Sequence, residues 1–296
     1  MRHMRIEIAV VLVLIAGAAR ADTQAPPASP PAPAATAPAS AAAPSDGIPP
    51  DAEQAKAVLA KSPRHGEWVD VALPDGTKLV TYVVYPEKKQ KAGVVIVIHE
   101  IFGLSDWVRG VADQLASQGF IALAPDLLSG MGPNGGGTAS LGEDVTKVIR
   151  TLTPQAVAAR LDAVRAHALG LPAANGKVGS VGFCWGGAAS FNYATTQPKL
   201  DAAVVFYGSS PTDPAAYAKI AAPVLGNYAG DDARVNATIP TAQDEMKKLG
   251  KSYTAKIYEG AGHGFLRQQT GRDGANLKAS QEAWPLTISF FRERLN

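Results

Sequence analysis

The chain has 296 residues, of which 46% are hydrophobic and 18% charged, and carries a net charge of +2. That balance supports a sizeable core and argues against a polyanion-binding protein, because there is no basic excess to neutralise phosphates. A single cysteine, Cys184, excludes an intramolecular disulfide, so the fold must rest on its core alone.

The first residues read as a targeting segment. Arg2 and Arg5 precede an apolar stretch over residues 8–19, and Ala19-Arg20-Ala21 offers a small-x-small cleavage site. The pattern predicts a signal peptide over 1–21, cleaved before Asp22, and an exported protein, periplasmic or secreted; an uncleaved anchor is the alternative. Arg2, Arg5 and Arg20 against Glu7 account for the whole +2. The remaining chain is therefore neutral, and nothing in it argues for nucleic acid or, after signal cleavage, for a membrane surface. Residues 22–50 hold nine prolines among Ala, Ser and Thr, a composition with little to bury, which predicts a disordered or polyproline-like linker.

From residue 51 to 296 the pattern is that of one globular domain. Residues 67–72 and 78–85 are alternating or β-branched, and the turn Pro74-Asp75-Gly76 joins them as a hairpin. Short apolar runs follow at 94–98, 120–124, 176–182, 202–207, 223–228 and 252–258. Helical patterns at 106–118, 153–169, 185–196, 238–249 and 276–294 alternate with them. Continuous Val/Ile-rich strands between helices predict a doubly wound, mostly parallel α/β sheet, preceded by an N-terminal antiparallel hairpin. The Gly-rich stretch 129–146 is too polar for core and predicts a mobile loop over the strand ends, where such sheets bind ligands.

The strongest chemical signal is Gly182-Phe183-Cys184-Trp185-Gly186, set between a strand and a helix. Small residues two positions either side of a nucleophile let a sharp strand-to-helix turn form without Cβ clashes. The turn also places the thiol at a helix N-terminus, which favours thiolate and oxyanion. No G-x-S-x-G competes. A base must follow the last strand in the nucleophile–acid–histidine order, and His263, in Gly262-His263-Gly264-Phe265, is the histidine that fits; His65, His99 and His167 fall elsewhere. The acid belongs after the preceding strand, where Asp231 and Asp232 are adjacent. Counting three residues back from Val235 favours Asp232 and leaves Asp231 as the alternative.

With the order 184, 232, 263 and the segments His99-Glu100-Ile101-Phe102-Gly103-Leu104, Pro125-Asp126-Leu127 and His263-Gly264-Phe265, the chain resembles the dienelactone hydrolase (carboxymethylenebutenolidase) family from about residue 66 to its end. The resemblance implies the α/β-hydrolase fold and hydrolysis of a small ester or lactone through a Cys184–His263–Asp232 triad and a thioester, without metal or cofactor. It implies that Glu100 sits beside the resting thiol, that the amides of Ile101 and Trp185 form the oxyanion hole, and that Arg267 binds a substrate anion. A second family arginine, expected just after Asp126-Leu127, is missing here. A zinc reading of His99-Glu100 fails because position 103 is Gly. The partner expected is a small molecule, and a monomer is favoured. An exported binding protein on the same frame, a thioesterase and a cysteine peptidase remain alternatives.

Overall fold

Residues 47–296 are described in the computed structural model; the signal peptide read over 1–21 and the linker up to residue 46 lie outside the described residues. In chain order, α1 (Ala55–Leu59) leads into the hairpin β1 (Gly66–Ala72) and β2 (Lys78–Val84). β3 (Ala92–Ile98), α2 (Asp106–Ser117) and β4 (Ile121–Pro125) follow. Two single-turn helices, α3 (Thr138–Leu141) and α4 (Val145–Val148), precede α5 (Pro154–Gly170) and β5 (Ala174–Phe183). The rest is α6 (Trp185–Thr196), β6 (Ala202–Phe206), β7 (Val224–Asp231), α7 (Ala233–Asn236), α8 (Ile239–Lys248), β8 (Tyr253–Gly262) and α9 (Ala275–Leu295).

The strands form one sheet in the order β1-β2-β4-β3-β5-β6-β7-β8. Pairing is antiparallel for β1/β2 and β2/β4 and parallel from β4 onward, as the hairpin and the later apolar runs predict. The two-residue period of a strand divides the core between two faces. Val95 and Val97 of β3 pack on one side with α2 and α9, whereas Val94, Ile96 and Ile98 pack on the other with α5, α6 and α8. Every residue of β3 is buried, which explains its unbroken apolar run. Ser105 and Thr153 start α2 and α5 by accepting the amides of Val108 and Ala156. No helix among the described residues is long and apolar enough to cross a membrane.

Two expectations need correction. The linker does not run to residue 50: Ile48 is buried in the core, the Trp107 indole donates to the Pro50 carbonyl (3.0 Å), and the Gln269 amide donates to the Pro49 carbonyl (2.8 Å). Composition hides this, because proline carbonyls accept hydrogen bonds although proline has no amide to donate. The segment 129–146 is not a plain loop either. Asp126 accepts the Thr138 amide and hydroxyl, both at 2.7 Å, and Thr138 Oγ1 in turn accepts the Leu104 amide at 3.1 Å. Leu128, Val145 and Ile149 bury a small apolar cluster of their own beneath it.

Candidate active site

The sharp turn at the end of β5 puts Cys184 at φ 56° and ψ −116°, a region that L-residues rarely occupy. Its amide donates to the Phe206 carbonyl of the neighbouring strand (3.0 Å). The flanking glycines are a steric necessity. A Cβ on Gly182 would stand 1.8 Å from the Gly186 carbonyl oxygen, and one on Gly186 would stand 2.4 Å from the carbonyl oxygens of Ile98 and His99. The backbones of β3, β5 and α6 thus close on one another around Cys184.

His263 follows β8 and Asp232 follows β7, two parallel neighbours, so both side chains emerge at the same end of the sheet. His263 Nδ1 lies 2.5 Å from Asp232 Oδ2. A carboxylate only accepts, so Nδ1 carries the proton and Nε2 keeps its lone pair for use as a base. Asp232 is nearly buried, and its other oxygen caps α7 by accepting the Val235 amide at 3.4 Å. Asp231 instead points outward into an ion pair with Arg272. Geometry therefore separates the two adjacent acids.

Glu100 lies at the end of β3 with its side chain 3% exposed and its Oε2 2.5 Å from Arg267 Nε, a close ion pair without the alignment of a hydrogen bond. Burial pushes the Glu100 carboxyl up to about 7, and the neighbouring guanidinium offsets only part of that effect. Burial likewise raises the Cys184 thiol above its ordinary value, and the charge of Glu100 adds to the rise. The Trp185 amide, Arg234 and Arg267 pull it down. Arg267, expected to bind a substrate anion, is here paired with Glu100 and lies over the Phe102 ring (4.9 Å).

The amides proposed for the oxyanion are well placed by their elements. Trp185 is the first residue of α6, whose N–H has no acceptor within the helix. Ile101 is the second residue of a turn closed by the Gly103 amide on the Glu100 carbonyl (3.2 Å), a position whose own N–H the turn leaves unused. His99 is fully buried and structural. Its Nδ1 bonds the Glu100 carbonyl (2.8 Å), its Nε2 accepts the Leu127 amide (3.1 Å), and burial pushes its pKa down.

Sequence reading missed three residues of this neighbourhood. Tyr207, just past β6, has φ 39°, packs its ring 5.2 Å from that of His263, and buries a hydroxyl with no hydrogen-bond partner among the described residues. Its place at the C-terminal end of a parallel strand beside the one that carries Cys184 is a signal that could have found it. Arg234 stands two residues beyond Asp232, and its charge reaches the thiol. Thr138 ties the helical segment to the turn that carries Ile101.

The comparisons with known proteins bear on the family and the fold. The chain is 33% identical over 249 residues to "Putative carboxymethylenebutenolidase" of Saccharolobus solfataricus, covering 74% of this chain and 95% of that one. It is 32% identical to protein usf of Aquifex pyrophilus, covering 75% and 96%. Among solved structures, dienelactone hydrolase from Anabaena variabilis shares the fold with a TM-score of 0.61 at 24% identity, covering 79% of this chain and 99% of that one. The acylaminoacyl peptidase of Pyrococcus horikoshii matches with a TM-score of 0.62 at 16% identity, over 82% of this chain and 44% of that one. The model of the dienelactone hydrolase family matches residues 79–295. With that match spanning both the strained elbow and the Asp232–His263 pair, the chain belongs to the dienelactone hydrolase family.

Proposed function

We propose that the protein hydrolyses a small carboxylic ester or lactone through a thioester on Cys184. His263 Nε2 takes the thiol proton as the sulfur attacks the carbonyl carbon, and the C=O electron pair moves onto oxygen, held by the amides of Ile101 and Trp185. Collapse expels the alkoxide, which takes the proton back from His263 and leaves an acyl thioester. His263 then deprotonates a water, which attacks the thioester and releases the acid, and the proton returns to sulfur. Asp232 keeps the imidazole in the productive tautomer throughout. The observation that carries this reading is the His263–Asp232 contact at 2.5 Å, formed at the sheet end where Cys184 is held in its strained turn.

The resting site supports a switched nucleophile. A thiol raised by burial and by Glu100 stays protonated near neutrality and resists oxidation, an advantage for a lone cysteine in an oxidising compartment. In this reading, substrate draws Glu100 and Arg267 into a new arrangement, which lets the thiol proton pass to His263 as the sulfur attacks. The test is Cys184→Ala on the purified protein with aryl esters and lactones: hydrolysis should vanish while the fold is retained. Activity surviving in that variant would overturn the mechanism.

A further inference from the structure

Between α5 and α6 lies a groove of about 290 Å³ with mostly apolar walls. Val157 and Tyr193 are buried in it, Ala158 and Ala189 face it from the two helices, and Gln155 and Thr196 are exposed at its rim. The Tyr193 hydroxyl and the Gln197 amide both donate to Asp162, at 2.9 and 2.6 Å, and so hold the helices at their spacing. One residue joins this groove to the site. Trp185 is the first of α6; its amide is one of the two proposed for the oxyanion, and its side chain lines the groove. Its ring is stacked on the buried His99 ring, 5.8 Å away and 16° from parallel. The other oxyanion residue belongs to the same surface. The side chains of Ile101, Trp185 and Leu152 pack on the small cluster of Leu128, Val145 and Ile149, and Leu152 is also part of the groove wall. An apolar path therefore leads from the two amides into the groove.

The chemistry selects which part of a substrate would take that path. His263 has to reach the leaving oxygen to protonate it. It follows β8, whereas Ile101 follows β3, on the other side of the strand that carries Cys184. The alcohol thus departs toward His263, and the acyl substituent, on the opposite bond of the carbonyl carbon, points toward Ile101, Trp185 and Leu152. Among the described residues no Lys, Arg, Asp or Glu lines the groove, so it suits an uncharged chain. We propose that the α5–α6 groove holds the acyl chain of the substrate, so that esters of medium-chain aliphatic acids are preferred over esters of short ones. This rests on the hydrolase reading above and names its substrate class.

The test compares p-nitrophenyl octanoate with p-nitrophenyl butyrate, which share a leaving group and differ in the length of the acyl chain. Each methylene fully removed from water is worth about fourfold. In a half-open groove the octanoate-to-butyrate ratio of kcat/KM should reach about tenfold. Ala158→Phe, which fills the middle of the groove, should abolish most of that preference. Gln155→Phe, an exposed change on the same wall, should lower the ratio severalfold, and it decides the matter if Ala158→Phe does not fold. A native ratio of one or less overturns the proposal, and so does a ratio that neither variant moves. A second readout needs no turnover. Methyl and octyl methanethiosulfonate both turn the single cysteine into a mixed disulfide. The thiolate bonds the alkyl-bearing sulfur, methanesulfinate leaves with the electron pair of the broken bond, and the thiol proton passes to solvent. Ala158→Phe or Gln155→Phe should lower the octyl-to-methyl rate ratio severalfold, and an unchanged ratio counts against the groove as the seat of the chain. A lowered ratio in a protein that hydrolyses neither ester would keep the groove as a chain-binding site and reject the hydrolase reading instead.

Discussion

Burial raises the Glu100 carboxyl from 4.5 to about 7 against the pull of Arg267, so its charge is close to balance at neutral pH. Because the Glu100 charge helps hold the Cys184 thiol protonated, Glu100→Gln should move the midpoint of thiol alkylation to lower pH. Iodoacetamide rates measured against pH check this, and an unmoved midpoint would leave burial as the whole cause. Stability should follow the same group. A raised carboxyl contributes fully below its ordinary value and loses that contribution as pH climbs to about 7. Glu100→Gln should therefore gain on the native protein in denaturation midpoint as pH rises through this range. At the proposed acid of the triad, Asp232→Asn should keep the α7 cap but donate its amide proton toward His263 Nδ1. The ring proton then sits on Nε2, and kcat should fall by about 10⁴-fold with little loss of stability. Much of this was legible in the sequence, since Cys184, Asp232 and His263 follow from glycine spacing and chain order. The Glu100–Arg267 pair was not, because residues 167 positions apart meet only when β3 and the loop after β8 converge at one end of the sheet.

At the scale of elements, the short helices over 129–148 act as a brace against the turn that carries Ile101. Thr138 makes the joint, its hydroxyl donating to Asp126 and accepting the Leu104 amide. Thr138→Val keeps the shape and removes both bonds, which should cost about 1–2 kcal/mol of stability. It should also lower kcat/KM severalfold by loosening the turn; a stability loss with unchanged kcat/KM would show that the brace and the turn are independent. The N-terminal strap is a second element-scale device. A chain starting at Asp51 should be about 3 kcal/mol less stable to denaturant than one starting at Gly47, having lost the burial of Ile48 and the bonds to the carbonyls of Pro49 and Pro50. Neither device shows in hydrophobic periodicity. α1, α3 and α4 have only 5, 4 and 4 residues, too few for a 3.6-residue repeat to register, whereas α2 and α8, with 12 and 10, carry it clearly.

For the whole molecule, the parallel sheet was legible because its central strands are buried on both faces and must read as unbroken apolar runs. Sheet order was not, since β4 sits between β2 and β3 and no local pattern encodes that crossover. Export is a prediction at this scale too: N-terminal sequencing of the protein made in its native host should begin at Asp22, and an intact Met1 in the membrane fraction would identify an anchor. The left-handed backbone at Cys184 has a consequence for the molecule's folding as a whole. A side chain there costs the native state roughly 1–3 kcal/mol that glycine would not incur. Cys184→Gly should therefore resist denaturant better than Cys184→Ala, by more than the ordinary advantage of Gly over Ala at a helix N-cap. Selection for reactivity holds the chain below the stability its own topology would allow, and the inactive glycine variant measures by how much.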